Sequence, residues 1–268
     1  MLEKQVLIDY LKQGMSTRDI AKISGEGKSN IGYWINKYGI NNYMKYQKPN
    51  YKDEKYFNKI DTKEKAYILG FMLGDGHIDS LGKSFSLSVA LNDKIILDFM
   101  NEELGCNVRI DTTYNKKQKK YPNATINIGN NQLVRDIKKL FGGRLKRDRR
   151  LPIIPKHLER YMVLGFFDAE GCVTWGFRKA RNRLWHKISF TSHLKMLEGI
   201  QKILLKQDIP SSIKPKSDSD CYVLEFANKN RVSMFLDYIY PNDNFIILER
   251  KYKNAQALRL ELGEFGET

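Results

Sequence analysis

Two acids stand at equivalent points of a segment that the chain uses twice. Ala66-Tyr67-Ile68-Leu69-Gly70-Phe71-Met72-Leu73-Gly74-Asp75-Gly76 and Tyr161-Met162-Val163-Leu164-Gly165-Phe166-Phe167-Asp168-Ala169-Glu170-Gly171 are each an apolar run closed by an acid and a glycine. Were the two runs to meet, Asp75 and Glu170 would arrive together at the negative ends of two helix dipoles, which folding alone does not favour. A hard divalent cation relieves that repulsion, because carboxylate oxygens select ions such as Mg²⁺, with Mn²⁺ as a substitute. Asp75 and Glu170 are therefore the expected metal ligands and catalytic acids. The chemistry such a site supports is metal-assisted phosphodiester hydrolysis.

The elements that would position these acids can be read from the spacing. Gly70 and Gly74 are four residues apart, as are Gly165 and Ala169, so each pair shares one helix face. Small residues there let two helix backbones approach closely, which makes these four the expected helix interface. Gly76 and Gly171 then read as helix C-caps. Period-two alternation follows each run, at Phe85 to Val89 and at His186 to Phe190, and recurs at Ala124 to Ile128 and Tyr222 to Phe226. Helical patterns lie between these strands, and Asn130 and Asn228 precede a further helix in each half. The order is that of a duplicated α+β unit. On the strand faces opposite the apolar positions stand Ser86, Ser88, Thr125 and Asn127 in the first half, and Arg178, Arg181, Arg183 and Lys187 in the second. These are the expected DNA contacts of the sheets.

Charge names the partner class. The 268 residues carry 46 Lys+Arg against 31 Asp+Glu, a formal net charge of +15, and counterion release makes such a surface a good match for nucleic acid. With 41% hydrophobic residues the chain can build real cores. No apolar run approaches the roughly 20 residues of a membrane span, so no membrane partner is expected. Three scattered cysteines, Cys106, Cys172 and Cys221, suit a reducing intracellular compartment rather than a disulfide scaffold or a zinc site.

The first 40 residues differ from the rest. Val6, Leu7, Tyr10 and Leu11 recur at helical spacing, Ser16 is a suitable N-cap, and a Gly-rich turn at 24–27 precedes a third apolar pattern at Ile31, Trp34 and Ile35. Met15 to Lys22 resembles a helix-turn-helix signature, which would place Lys28, Ser29, Asn30 and Tyr33 at base edges. Residues 41–60 interleave lysine and tyrosine without apolar periodicity and read as a basic linker. The expected layout is thus 1–40 helix-turn-helix, 41–60 linker, 61–155 first half, 156–260 second half and 261–268 an acidic tail.

The repeated segments Ile68 to Gly76 and Val163 to Gly171 resemble the two motifs of the LAGLIDADG homing endonucleases, in the branch where one chain carries both. The resemblance covers roughly 61–260. It implies two pseudo-symmetric αββαββα halves packed through their motif helices, a monomer, and a site-specific double-strand cut in a long asymmetric DNA target. It departs from the pattern at Leu73, where the motif's first acid is missing, and at Glu170, where Glu replaces Asp. It also implies a lysine near each acid. Lys251, in Leu248 to Lys253, fits that role in the second half, and Lys146, in Gly143 to Arg147, in the first. Two further roles remain open to such a chain: an intron maturase that binds RNA, and a DNA-binding regulator that no longer cuts.

Overall fold

The computed structural model describes residues 2–43, 51–108, 110–114, 122–178, 183–217, 219–240, 245 and 247–264. They form two compact units that divide between Asn50 and Tyr51.

The smaller unit is three short helices, α1 Lys4–Lys12, α2 Thr17–Ser24 and α3 Lys28–Lys37. Ser16 and Asp19 close a capping box at the start of α2, and Gly25 stops that helix in the left-handed region with φ 72°. Leu7, Leu11, Ile20, Ile31, Ile35 and Ile40 form its core. Ile23, near the end of α2, is 59% exposed.

The larger unit runs through the same order twice. The first half is α4 Lys63–Asp75, β1 Gly76–Ile78, β2 Phe85–Ala90, α5 Ile95–Glu103, β3 Ile110–Tyr114, β4 Pro122–Ile128 and α6 Asn131–Phe141. The second is α7 Glu159–Glu170, β5 Gly171–Arg178, β6 Arg183–Ser192, α8 Leu194–Leu205, β7 Ser212–Pro215, β8 Tyr222–Phe226 and α9 Lys229–Ile239. A last helix, α10 Glu249–Glu264, follows. Each half builds one antiparallel sheet of four strands, in the orders β1-β2-β4-β3 and β5-β6-β8-β7. Asn130 and Asn228 cap α6 and α9 through their side-chain oxygens. One core serves both halves, with the sheets' inner faces, such as Leu87, Ile126, Ile188 and Leu224, packed under the helices.

The seam between the halves is α4 against α7, and its symmetry is reciprocal. A Cβ added to Gly70 would stand 2.0 Å from the carbonyl oxygen of Met162, and one added to Gly165 would stand 2.0 Å from that of Tyr67. A Cβ on Gly74 would meet that of Ala169 at 2.5 Å. Backbone therefore rests on backbone, which is why the small residues recur four apart.

Two expectations change and a third is refined. Residues 51–60 do not behave as a tether, because Tyr56, Phe57 and Ile60 are buried in the main core and the Tyr56 hydroxyl donates to Glu103 Oε2 at 2.8 Å. Aromatic side chains placed singly can fill a core that other elements build, without any periodicity of their own. Residues 261–264 continue α10, with Leu262 buried, so the acidic end is not a frayed tail over that span. Gly76 and Gly171 are the C-caps of α4 and α7, their N–H groups donating to Met72 O and Phe167 O, but in extended backbone, with φ −66° and −90°, and each opens a strand. Their need is for space: a Cβ would meet the Phe85 ring at 2.5 Å in one case and the Phe167 ring at 2.0 Å in the other.

Candidate active site

Both motif helices are buried almost throughout and stop where a strand begins, so Asp75 and Glu170 each sit at a helix-to-strand junction. The close seam sets them beside each other. The Glu170 Cγ lies 2.9 Å from the point where a Gly74 Cβ would be. Burial, and then the Glu170 charge, push the Asp75 carboxyl up to about 6, against the opposing pull of Lys146 and Lys251. Lys146 Nζ stands 3.5 Å from Glu170 Oε1 across the seam.

The two lysines expected to match do not. Lys251, on α10, is bound to main chain: its Nζ donates to the carbonyls of Phe167 at 2.7 Å and Gly171 at 2.8 Å and lies over the Phe167 ring. Burial lowers its pKa. Its counterpart in the first half is Arg149, whose guanidinium donates to Leu73 O at 3.1 Å and Gly76 O at 2.9 Å over the Phe141 ring. Each cation ties off carbonyls at a helix end, where positive charge is favoured. Lys146 is instead the exposed cation that reaches an acid.

Asp168, the acid retained in the second motif, faces the seam and not the junction. It is 4% exposed, and the Tyr67 hydroxyl donates to its Oδ2 at 2.7 Å. Burial pushes it up to about 7 although the Tyr67 bond pulls the other way. Leu73 takes the corresponding place in the first motif and is buried. Sequence spacing did not point to this pairing, nor to the bond from Arg250 Nε to Asp93 Oδ1 at 2.7 Å that joins α10 to the first half.

The described sheet residues lie on the expected faces. Ser86 pairs with Asn127 and Ser88 with Thr125 on the face away from the core, and Ser88 and Thr125 share a hydroxyl bond of 2.8 Å. Arg178 is exposed and Lys187 lies on the outer face of β6. Arg181 lies outside the described residues, as does the side chain of Arg183. In the smaller unit Lys28, Ser29 and Asn30 are exposed at the start of α3, and Tyr33 is 57% exposed.

Residues 157–240 match the model of the LAGLIDADG-like domain family. No curated protein matches the chain. Among solved structures it resembles the I-LtrWI LAGLIDADG homing endonuclease bound to target DNA, at 13% identity and TM-score 0.54, over 81% of this chain and 92% of that one. It also resembles the LAGLIDADG meganuclease I-AabMI bound to uncleaved DNA, at 15% identity and TM-score 0.53, over 75% and 91%. The meganuclease I-SmaMI bound to uncleaveable DNA gives 12% identity and TM-score 0.50, over 76% and 92%.

The fold is that of the LAGLIDADG endonucleases.

Within that fold, the donor set at the seam is two carboxylates. No group of three or more His, Cys, Asp and Glu is gathered among the described residues. Two acids with no soft ligand suit a cation that completes its shell with water and phosphate oxygens, the habit of Mg²⁺. The raised pKa of Asp75 records the electrostatic strain that such an ion would relieve.

Proposed function

We propose that this protein is a site-specific DNA endonuclease that cuts both strands of a duplex with a divalent metal, Mg²⁺ or Mn²⁺. The observation that carries this reading is the meeting of Asp75 and Glu170 at the ends of two helices in backbone contact, each acid leading directly into a sheet with a polar outer face. The DNA-bound state of the I-LtrWI and I-AabMI structures supports a duplex partner.

The chain's own residues divide the work. Asp75 and Glu170 would hold the metal, which supplies charge stabilisation at the scissile phosphate and an activated water. Arg149 and Lys251 fix the carbonyls beside each acid and so hold the junctions still. Lys146, exposed and next to Glu170, is placed to meet a phosphate oxygen that gains charge. The outer sheet faces bind and read the duplex, and α3 of the smaller unit, with Lys28, Ser29, Asn30 and Tyr33, extends the recognised sequence as a helix-turn-helix would. One chain brings both acids, so a monomer suffices. The three free cysteines suit a reducing compartment inside the cell. Retention of both acids favours cutting over a purely regulatory role.

The test is cleavage of a plasmid library of candidate sites. Cleavage should require Mg²⁺ and stop in EDTA, and Asp75→Asn or Glu170→Gln should abolish it while leaving duplex binding in Ca²⁺. Full cleavage by either variant would overturn the proposal.

A further inference from the structure

Lys251 is flanked by a residue that reaches the other half of the molecule. Arg250 and Lys251 are neighbours in the first turn of α10, and adjacent side chains on a helix point about 100° apart. Lys251 turns to the second half, where it holds the carbonyls of Phe167 and Gly171 on either side of Glu170. One turn on, Asn254 joins β5, accepting from Trp175 Nε1 and donating to Val173 O, each at 3.1 Å. Arg250 turns to the first half. Its Nε and Nη2 donate to the two carboxylate oxygens of Asp93, at 2.7 and 2.5 Å. Asp93 lies in the single turn between β2 and α5 and is 7% exposed.

Helix formation asks for neither cation at that place, the positive end of a helix dipole. A bidentate guanidinium–carboxylate bond fixes direction as well as distance, so the start of α10 is set by both halves at once. The first half shows the reciprocal arrangement. Arg149 holds the carbonyls of Leu73 and Gly76 beside Asp75. Two residues later Leu151 packs on α8 of the second half, so closely that a Cβ added to Gly199 would stand 2.6 Å from the Leu151 Cβ. Each carbonyl-holding cation thus sits beside a contact to the opposite half, apolar in one case and ionic in the other. Asp93 is also near enough to the site for its charge to add to the push that burial and Glu170 exert on Asp75.

We propose that Arg250 is a positioning residue for the metal site: its grip on Asp93 sets where Lys251 stands, and through Lys251 where the Glu170 junction stands relative to Asp75. This rests on the endonuclease reading and deepens it, because the alignment of the two acids then depends on a bond between the halves that lies outside the motif helices.

The experiment is a Mg²⁺ titration of single-turnover cleavage by the full chain, on a target recovered from the plasmid library. Arg250→Met, Asp93→Asn and the double variant are compared with the parent. Loss of a group that orients a metal ligand weakens metal binding by about tenfold or more, so each single variant should need about ten times more Mg²⁺ for half-maximal rate. The double variant should need no more than the worse single one, since both remove the same bond. It also leaves no unpaired charge, and so serves if Arg250→Met fails to fold. Duplex affinity without metal should match the parent, and thermal melts should show the variants folded at the assay temperature. A bond that only stabilises the fold would lower the melting temperature and leave the Mg²⁺ midpoint in place, which would overturn the proposal. So would a loss of duplex affinity at an unchanged midpoint, which makes Arg250 a phosphate contact, or shifts that multiply in the double variant. A parental chain that cuts no duplex in Mg²⁺ would overturn the endonuclease reading itself, whereas a cutting parent with unmoved variants overturns the positioning role alone.

Discussion

Arg149 does for α4 what Lys251 does for α7. The first donates to the carbonyl of Gly76 and the second to that of Gly171, the residues that follow the two acids. Replacing Lys251 by Met removes the ammonium donor from Phe167 O, which keeps the Gly171 N–H, and from Gly171 O. We expect a loss of about 1–3 kcal/mol in urea unfolding, together with a fall in cleavage on the order of 10²-fold as Glu170 loses its fixed position. Lys251→Arg copies the first half and should restore much of both. Unchanged stability in Lys251→Met would show that the bonds carry nothing.

The raised pKa of Asp75 sets a pH dependence. An acid whose pKa is higher folded than unfolded favours folding when protonated. Its contribution is fully present below about pH 4 and is lost as pH rises through about 6. Asp75→Asn should therefore stabilise the metal-free protein at pH 8, by up to about 3 kcal/mol, and change little at pH 4. Melting curves in EDTA at the two pH values check this. Added Mg²⁺ or Ca²⁺ should stabilise the parent at pH 8 and not Asp75→Asn.

Tyr67 and Asp168 form a buried hydrogen bond across the seam. Tyr67→Phe removes the bond that holds Asp168 down. The carboxyl, already at about 7, should rise further, and the variant should lose stability of about 1–3 kcal/mol, more at pH 8.5 than at pH 5.5. An equal loss at both values would mean that Asp168 is protonated throughout.

Lys146 differs from these residues because it is exposed and holds no main chain. Lys146→Met should change unfolding by less than about 1 kcal/mol while lowering the single-turnover cleavage rate. A variant with the parental rate would remove Lys146 from the chemistry.

Much of the site could be read from residue types alone. Small residues four apart announced a close helix pair, and the repeated acid-glycine ending announced where both helices stop. Alternation assigned the strands and their outer faces. The Arg149 and Lys251 pair was hidden because the two cations sit at unequal distances along the chain, 73 residues after Gly76 in one half and 80 after Gly171 in the other. The basic run from Gly143 to Arg147 points to Lys146 instead. Tyr56 and Phe57 were hidden because a segment without periodicity was filled into a core made by others. The bond from Arg250 to Asp93 joins residues 157 apart, which no local pattern contains.

Gly70 and Gly165 press main chain against main chain, so the spacing of α4 and α7 at the seam is set by peptide geometry. Mutations that drift across the outer strands can rewrite which sequence is gripped without retuning that spacing. Under the proposed function, descendants of such a chain would be free to change address while inheriting one cutting centre.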